Sequence, residues 1–189
     1  MTSSFHAFIL PSCFDLTLSR TGRKVPPDMT ATKRVLFVCT GNTCRSPMAE
    51  ALFRKAVAGR DEYSVGSAGV AASRGSRASR ETAEICQLNN APLENFKSRA
   101  VNEKLLAEAT HVFTMTSGHL RLLEEHFPEY ADKFYLTCEF ADIDGMGLGA
   151  DVPDPIGMGK KAYQDVARVL SEAIPAIISY IDQTTPRQA

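Results

Sequence analysis

Residues 34–47 constrain this chain more than any other segment: Arg34-Val35-Leu36-Phe37-Val38-Cys39-Thr40-Gly41-Asn42-Thr43-Cys44-Arg45-Ser46-Pro47. The consecutive apolar side chains Val35–Val38 suit a central parallel strand covered on both faces. A short polar stretch follows. Ser46-Pro47 then reads as a helix start, with proline at the first helical position. Strand, tight loop and helix in that order open an α/β layer fold.

The same loop carries chemistry. Cys39 closes the strand, and five residues separate it from Arg45. The backbone N–H groups of Thr40, Gly41, Asn42, Thr43, Cys44 and Arg45 can converge as an anion nest in front of the helix. Arg45 adds a planar fork matched to two phosphate oxygens. A nearby helix start and a cation both favour a cysteine thiolate over its thiol. Gly41 and Asn42 tolerate the left-handed backbone angles that a tight cradle demands. Ser46 either donates to the Cys39 sulfur or serves as a plain helix cap. The segment points to a nucleophilic cysteine under a phosphate dianion, and so to hydrolysis of phosphate esters or phosphoramidates. Such a reaction needs a proton donor for the leaving group. Glu139, Asp151 and Asp154 lie in the candidate loop. Asp154 is the best placed, because Pro155 fixes the backbone beside it.

Beyond the loop, Met48, Ala49, Leu52, Phe53, Ala56 and Val57 share one helix face through about Ala58, where Gly59 ends it. Strands are predicted at 62–67, 111–115 and 133–136. Helices are predicted at 79–88, 101–109 and 117–125, with Ser117 as a cap. Residues 137–159 are rich in Gly, Asp and Pro and read as largely loop. A long closing helix follows through Ile178, and Pro175 is expected to kink or divide it. This alternation argues for an α/β sandwich around a small parallel sheet. Ligands in such sheets bind beyond the carboxyl ends of the strands, where Cys39 lies.

A chain of 189 residues, 44% hydrophobic, can bury one sizeable core. The expected domain is 33–183, with a tail at 184–189. Residues 1–32 read as a mobile extension: the apolar patch Phe5–Leu10 precedes Arg20, Arg23 and Lys24, the reverse of a signal peptide. The net charge of -1 and the scattered Lys and Arg leave no footprint for nucleic acid. No apolar run reaches membrane-spanning length. Five cysteines suggest neither a disulfide framework nor a zinc site. A nucleophilic cysteine fits a reducing, cytoplasmic compartment, and a monomer is favoured.

From Arg34 to Asp182 the chain resembles the low-molecular-weight protein tyrosine phosphatase family, and within it the protein arginine phosphatase branch. Val38–Glu50, Ser67-Ala68-Gly69 and Asp154-Pro155 carry the resemblance. It implies a three-layer sandwich with a four-stranded parallel sheet flanked by helices. It implies Cys39 as nucleophile, Arg45 as phosphate clamp, Asp154 as general acid then base, and Asn42 and Ser46 as loop supports. The substrate would be a phosphorylated protein and the product inorganic phosphate. No metal or cofactor would be needed, since the loop and Arg45 supply the positive field. Members that prefer phosphotyrosine usually carry isoleucine or leucine in place of Thr43 and an aromatic side chain in place of Ile156. Both departures favour phosphoarginine, unless Thr43 is neutral and Phe140 or another loop supplies the aromatic wall. Phe96 stands where many members have a histidine that supports the loop through Asn42. The alternatives are a tyrosine phosphatase, a thioredoxin-coupled arsenate reductase relaying through Cys86 and Cys138, and a silent anion-binding or interaction module. Cys44, five positions from Cys39, is expected to act as its redox partner under peroxide.

Overall fold

Alternation along the first strand sorts the molecule into layers. The computed structural model describes residues 33–184. In β1 (Lys33–Cys39), Val35, Phe37 and Cys39 enter one hydrophobic core, while Leu36 and Val38 enter another. Both faces of this strand are therefore buried, as its continuous apolarity requires. It pairs in parallel with β2 (Tyr63–Gly69) and β3 (His111–Thr114), and β3 pairs with β4 (Phe134–Leu136). The sheet order is β2-β1-β3-β4. Helices α1 (Arg45–Ala56), α2 (Arg80–Leu88) and α5 (Gly159–Thr184) cover the Phe37 face. Helices α3 (Glu103–Glu108) and α4 (Ser117–His126) cover the other. This is the expected three-layer sandwich. Phe37 centres the larger core, its ring 5.6 Å from Phe53 and 5.7 Å from Phe113. Each such buried ring contributes about 2 kcal/mol.

Three local expectations are corrected. Pro175 does not divide the closing helix, which runs unbroken to Thr184. Pro175 and Ser171, whose carbonyl loses its i+4 donor, are both exposed, so water takes up the lost bond. Ile174, Ile177 and Ile181 meanwhile anchor the opposite face. Helix α4 is capped by Thr116, whose hydroxyl accepts from the His119 N–H, and Ser117 is its first helical residue. Residues 137–159 are largely loop, as expected, and hold one short antiparallel hairpin, β5 (Asp142–Ile143) with β6 (Gly147–Leu148). Helix α1 begins at Arg45, which places Pro47 inside its first turn, where the missing N–H still costs nothing. The expected extension 1–32 and residues 185–189 of the expected tail lie outside the described residues.

At the end of the sheet away from Cys39, one carboxylate ties the first strand to the last helix. Asp182 of α5 accepts from Lys33, from both terminal nitrogens of Arg60 and from the Tyr63 hydroxyl. The Arg60 guanidinium, followed by Lys33 and Tyr63, holds the Asp182 carboxyl well below the usual carboxylate range against the opposing effect of burial. A depressed pKa adds stability at neutral pH, and that stability is lost as pH falls from the unfolded-state value toward the folded one. Asp182→Asn is therefore expected to destabilise the domain at pH 7. The cost should be on the order of 1 kcal/mol, because the carboxylate keeps about a third of its surface in water. The variant should also lose stability less steeply than the parent below about pH 4. Urea unfolding at a series of pH values measures both effects; parallel curves for the two proteins would refute the assignment.

Candidate active site

The loop between β1 and α1 folds around one asparagine. Asn42 takes a left-handed backbone angle, φ 52°, which asparagine tolerates better than most residues. Its buried amide then works in three directions. Nδ2 donates to Ser46 Oγ and to Ser67 Oγ, each at 2.9 Å, and Oδ1 accepts from the Arg99 backbone N–H at 3.0 Å. Ser67 in turn donates to the buried Glu50 carboxylate at 2.6 Å, and Arg54 pairs with the other oxygen of Glu50. Gly41, by contrast, does not adopt a left-handed angle.

The sulfur of Cys39 sits inside this framework and is buried. The Asn42 N–H points at it from 3.3 Å, and Ser46 Oγ lies 3.0 Å away. The Ser46 oxygen is also 3.2 Å from the Ala68 carbonyl. Its single proton, already excluded from Asn42 by the incoming N–H, chooses between sulfur and carbonyl. A thiolate takes it; a thiol or a substituted sulfur leaves it to Ala68. Ser46 is therefore not the helix cap. Cys44 occupies that position without a side-chain cap bond, and the first turn of α1 carries no acidic residue. The first N–H groups of α1 thus remain for an anion, beside Arg45.

Of the three candidate carboxylates, only Asp154 meets this centre. Arg45, buried, donates from Nη2 to Asp154 Oδ2 at 2.8 Å and from Nη1 to the Val152 carbonyl at 3.3 Å. The Asp154 side chain is 49% exposed, which leaves its carboxylate open to solvent above the cradle. Glu139 instead accepts from the Leu136 N–H in its own turn. Asp151 accepts from the N–H of Ser117 at 2.7 Å and lies 3.3 Å from its hydroxyl. Thr43 is half-buried, its hydroxyl 3.7 Å from Cys44 Sγ, and Cys44 also contacts the Tyr163 hydroxyl at 3.6 Å. Ile156, beyond the Asp-Pro pair, is 63% exposed. Phe140 does not stand in for the expected aromatic wall, because its ring stacks on Tyr180 at 4.0 Å and near Tyr135.

Several supports were not assigned from sequence. Ser67, backed by Glu50, and the Arg99 backbone hold Asn42, so the amide is fully bonded with phenylalanine at position 96. Ser67 and Glu50 both lie within the motif residues, but a role for them appears only once β2 lies against α1. His119 is the least foreseeable. Its Nε2 lies 2.8 Å from the Thr40 hydroxyl and its Nδ1 lies 2.8 Å from that of Thr116. Burial, reinforced by the Arg45 charge, pushes His119 down from its ordinary value, so the ring is neutral near pH 7. Gly69 has a steric role. A Cβ there would lie 2.4 Å from the Thr40 carbonyl and 2.9 Å from the Asn42 nitrogen. The close approach is fixed by Val70 and Ala71, which donate to the carbonyls of Cys39 and Thr40.

Residues 34–187 match the family model described as low molecular weight phosphotyrosine protein phosphatase. A protein-arginine-phosphatase of Geobacillus stearothermophilus is 39% identical over 132 residues, covering 69% of this chain and 84% of the relative. The solved low molecular weight protein tyrosine phosphatase of T. tengcongensis superposes with a TM-score of 0.72 at 38% identity, covering 79% of this chain and 99% of that one. An arginine phosphatase solved as a cysteine-to-serine mutant with a phosphorylated active-site serine superposes at 0.70, with 34% identity over 80% of this chain and 97% of that one.

Gly69→Ala tests whether β2 shapes the cradle. The contact is backbone against backbone, so no flexible side chain can yield. The variant is expected to stay folded yet lose at least about tenfold in affinity for inorganic phosphate, since the donors are displaced from converging geometry. Phosphate titration followed by amide chemical shifts measures it, and unchanged affinity would refute the role.

Proposed function

The chain belongs to the low molecular weight phosphotyrosine protein phosphatase family, and on that premise we propose that it removes phosphate from arginine side chains of proteins, with Cys39 as the nucleophile. The family and the relatives make it a cysteine-based phosphatase. The geometry supports the further steps of this reading. The Cys39 thiolate, held by the Ser46 hydroxyl and the Asn42 N–H, attacks phosphorus in line. Arg45 and the loop N–H groups hold the equatorial oxygens. The bond from phosphorus to the guanidinium nitrogen breaks, and Asp154 gives that nitrogen a proton. Water then attacks the phosphocysteine while Asp154 takes its proton. The phosphorus–sulfur bond breaks, releasing inorganic phosphate and the thiolate. Every positive charge this cycle needs comes from Arg45 and backbone N–H groups, so no metal enters.

The observation that carries phosphoarginine over phosphotyrosine is the character of the mouth. Thr43 places a hydroxyl and a branched methyl beside the cradle, and exposed Ile156, in place of a ring, follows the acid. A guanidinium is polar and can donate to a hydroxyl, while a phenyl ring gains most from an aromatic wall. The arsenate reductase alternative loses support: burial pushes the Cys86 and Cys138 thiols up to about 12 and about 11, which suits core filling and not electron relay. We read the protein as a cytoplasmic monomer acting on phosphorylated proteins; among the described residues no helix is long and apolar enough to cross a membrane.

The deciding measurement is kcat/KM on phosphoarginine and phosphotyrosine peptides of one sequence. The unmodified enzyme is expected to favour phosphoarginine. Thr43→Ile should shift the ratio toward phosphotyrosine by about tenfold, the value of one polar contact traded for an apolar one. A parent enzyme that prefers phosphotyrosine would make it a tyrosine phosphatase with the same cysteine chemistry. Cys44 generates a second expectation. It follows the same tight loop as Cys39, and both thiols are buried and free. Mild peroxide should yield a reversible Cys39–Cys44 disulfide in peptide maps, whereas Cys39 recovered only as sulfinic acid would refute the pairing.

A further inference from the structure

Residues 151–154 form a strap that carries the acid, and its anchors are unequal. Two of them run to Arg45, through the Val152 carbonyl and the Asp154 carboxylate. A phosphate dianion that takes the Arg45 fork competes for the same donors. The anchors through Arg45 therefore weaken in the complex where Asp154 has to deliver its proton. Two anchors do not involve Arg45. The Val152 N–H donates to the Met115 carbonyl at 2.8 Å, and the Asp151 carboxylate accepts from the first N–H of α4 at 2.7 Å, with the Ser117 hydroxyl 3.3 Å from its other oxygen. The Val152 bond is buried, whereas the Asp151 bond is exposed, charge-assisted and at the positive end of a helix, and it is the strap's side-chain anchor outside Arg45.

That same helix turn also holds the cradle. Thr116 and His119 flank Ser117, and His119 bridges Thr116 to the hydroxyl of Thr40, the residue after the nucleophile. The first turn of α4 is thus a common mount, with the cradle fixed on one side and the acid strap on the other.

We propose that Asp151 is a positioning residue for Asp154: by fastening the strap to the first turn of α4, it keeps the acid over the leaving group when substrate has taken Arg45. The proposal rests on the phosphatase mechanism above but not on the choice between phosphoarginine and phosphotyrosine.

Aryl phosphates with leaving groups of graded pKa test it. Asp151→Ala is expected to lower kcat/KM, which reports the step that expels the leaving group, about tenfold for phenyl phosphate and much less for p-nitrophenyl phosphate, because in that step a misplaced acid matters only where protonation is needed. The inhibition constant of inorganic phosphate should stay within about twofold, since the cradle and Arg45 are intact. Asp151→Asn keeps an oxygen for the Ser117 N–H and is expected to recover most of the loss. This variant also keeps the test decisive if the alanine variant does not fold. Equal losses across the series would overturn the tether. An asparagine variant as impaired as Asp154→Asn would overturn it as well, by making Asp151 itself the acid. Parent enzyme that never forms a phosphocysteine in a rapid-quench experiment would instead overturn the phosphatase mechanism, and the tether with it.

Discussion

The cradle depends on the Asn42 amide. Its left-handed backbone turns the chain, and its side chain supplies the bonds that keep the turn from relaxing. The direction of those bonds is set from a distance. Glu50 is paired with Arg54 and accepts only, so Ser67 must donate to it and offers Asn42 a lone pair. Asn42 then has to present its NH2 to both serines and its oxygen to Arg99. Ser46 accepts a hydrogen bond from Asn42 and keeps its own proton for sulfur or carbonyl. A row of short polar side chains thereby fixes the hydrogen-bonding sense at the nucleophile, and each buried group in it is satisfied.

The second constraint is charge. Arg45 is buried, and such a cation needs a partner. In this structure the partner is Asp154, half exposed and held at the mouth. The same guanidinium that is read as clamping phosphate therefore keeps the acid close by before phosphate arrives. When phosphate takes Arg45 in the proposed cycle, it replaces the carboxylate as the partner of the buried charge. The neutral His119 ring fits this logic, since a second buried cation beside Arg45 would compete for the same anions.

Much of this was legible in the sequence, and the reasons are local. The run Val35–Val38 reads as a buried strand because nothing polar interrupts it, and Cys39-x5-Arg45 reads as a cradle because its parts are adjacent in the chain. Asp154 was singled out from three carboxylates by its proline neighbour, and the fold sends the other two elsewhere. What stayed hidden depends on contacts between distant segments. Glu50 looks like an ordinary surface residue of a helix until β2 brings Ser67 to it. Gly69 shows its necessity only against the Thr40 carbonyl. His119 lies 79 residues from the hydroxyl it touches. Pro175 does not end the helix, because three isoleucines on its far side outweigh the local preference for a break.

The Asp182 cluster has a practical side. It joins Lys33, the first described residue, to a residue two positions from the last, Thr184. Both lie at the rim of the sheet where β1 begins, and β1 is seven residues long. At about 3.3 Å per residue, that rim is roughly 20 Å from the sulfur of Cys39. Anything fused before Lys33 or after Thr184 starts from the side of the molecule that faces away from the substrate. The chain therefore enters and leaves the described domain on the side opposite the mouth. The domain is thus suited to being carried on a surface or a larger assembly with its cradle turned outward.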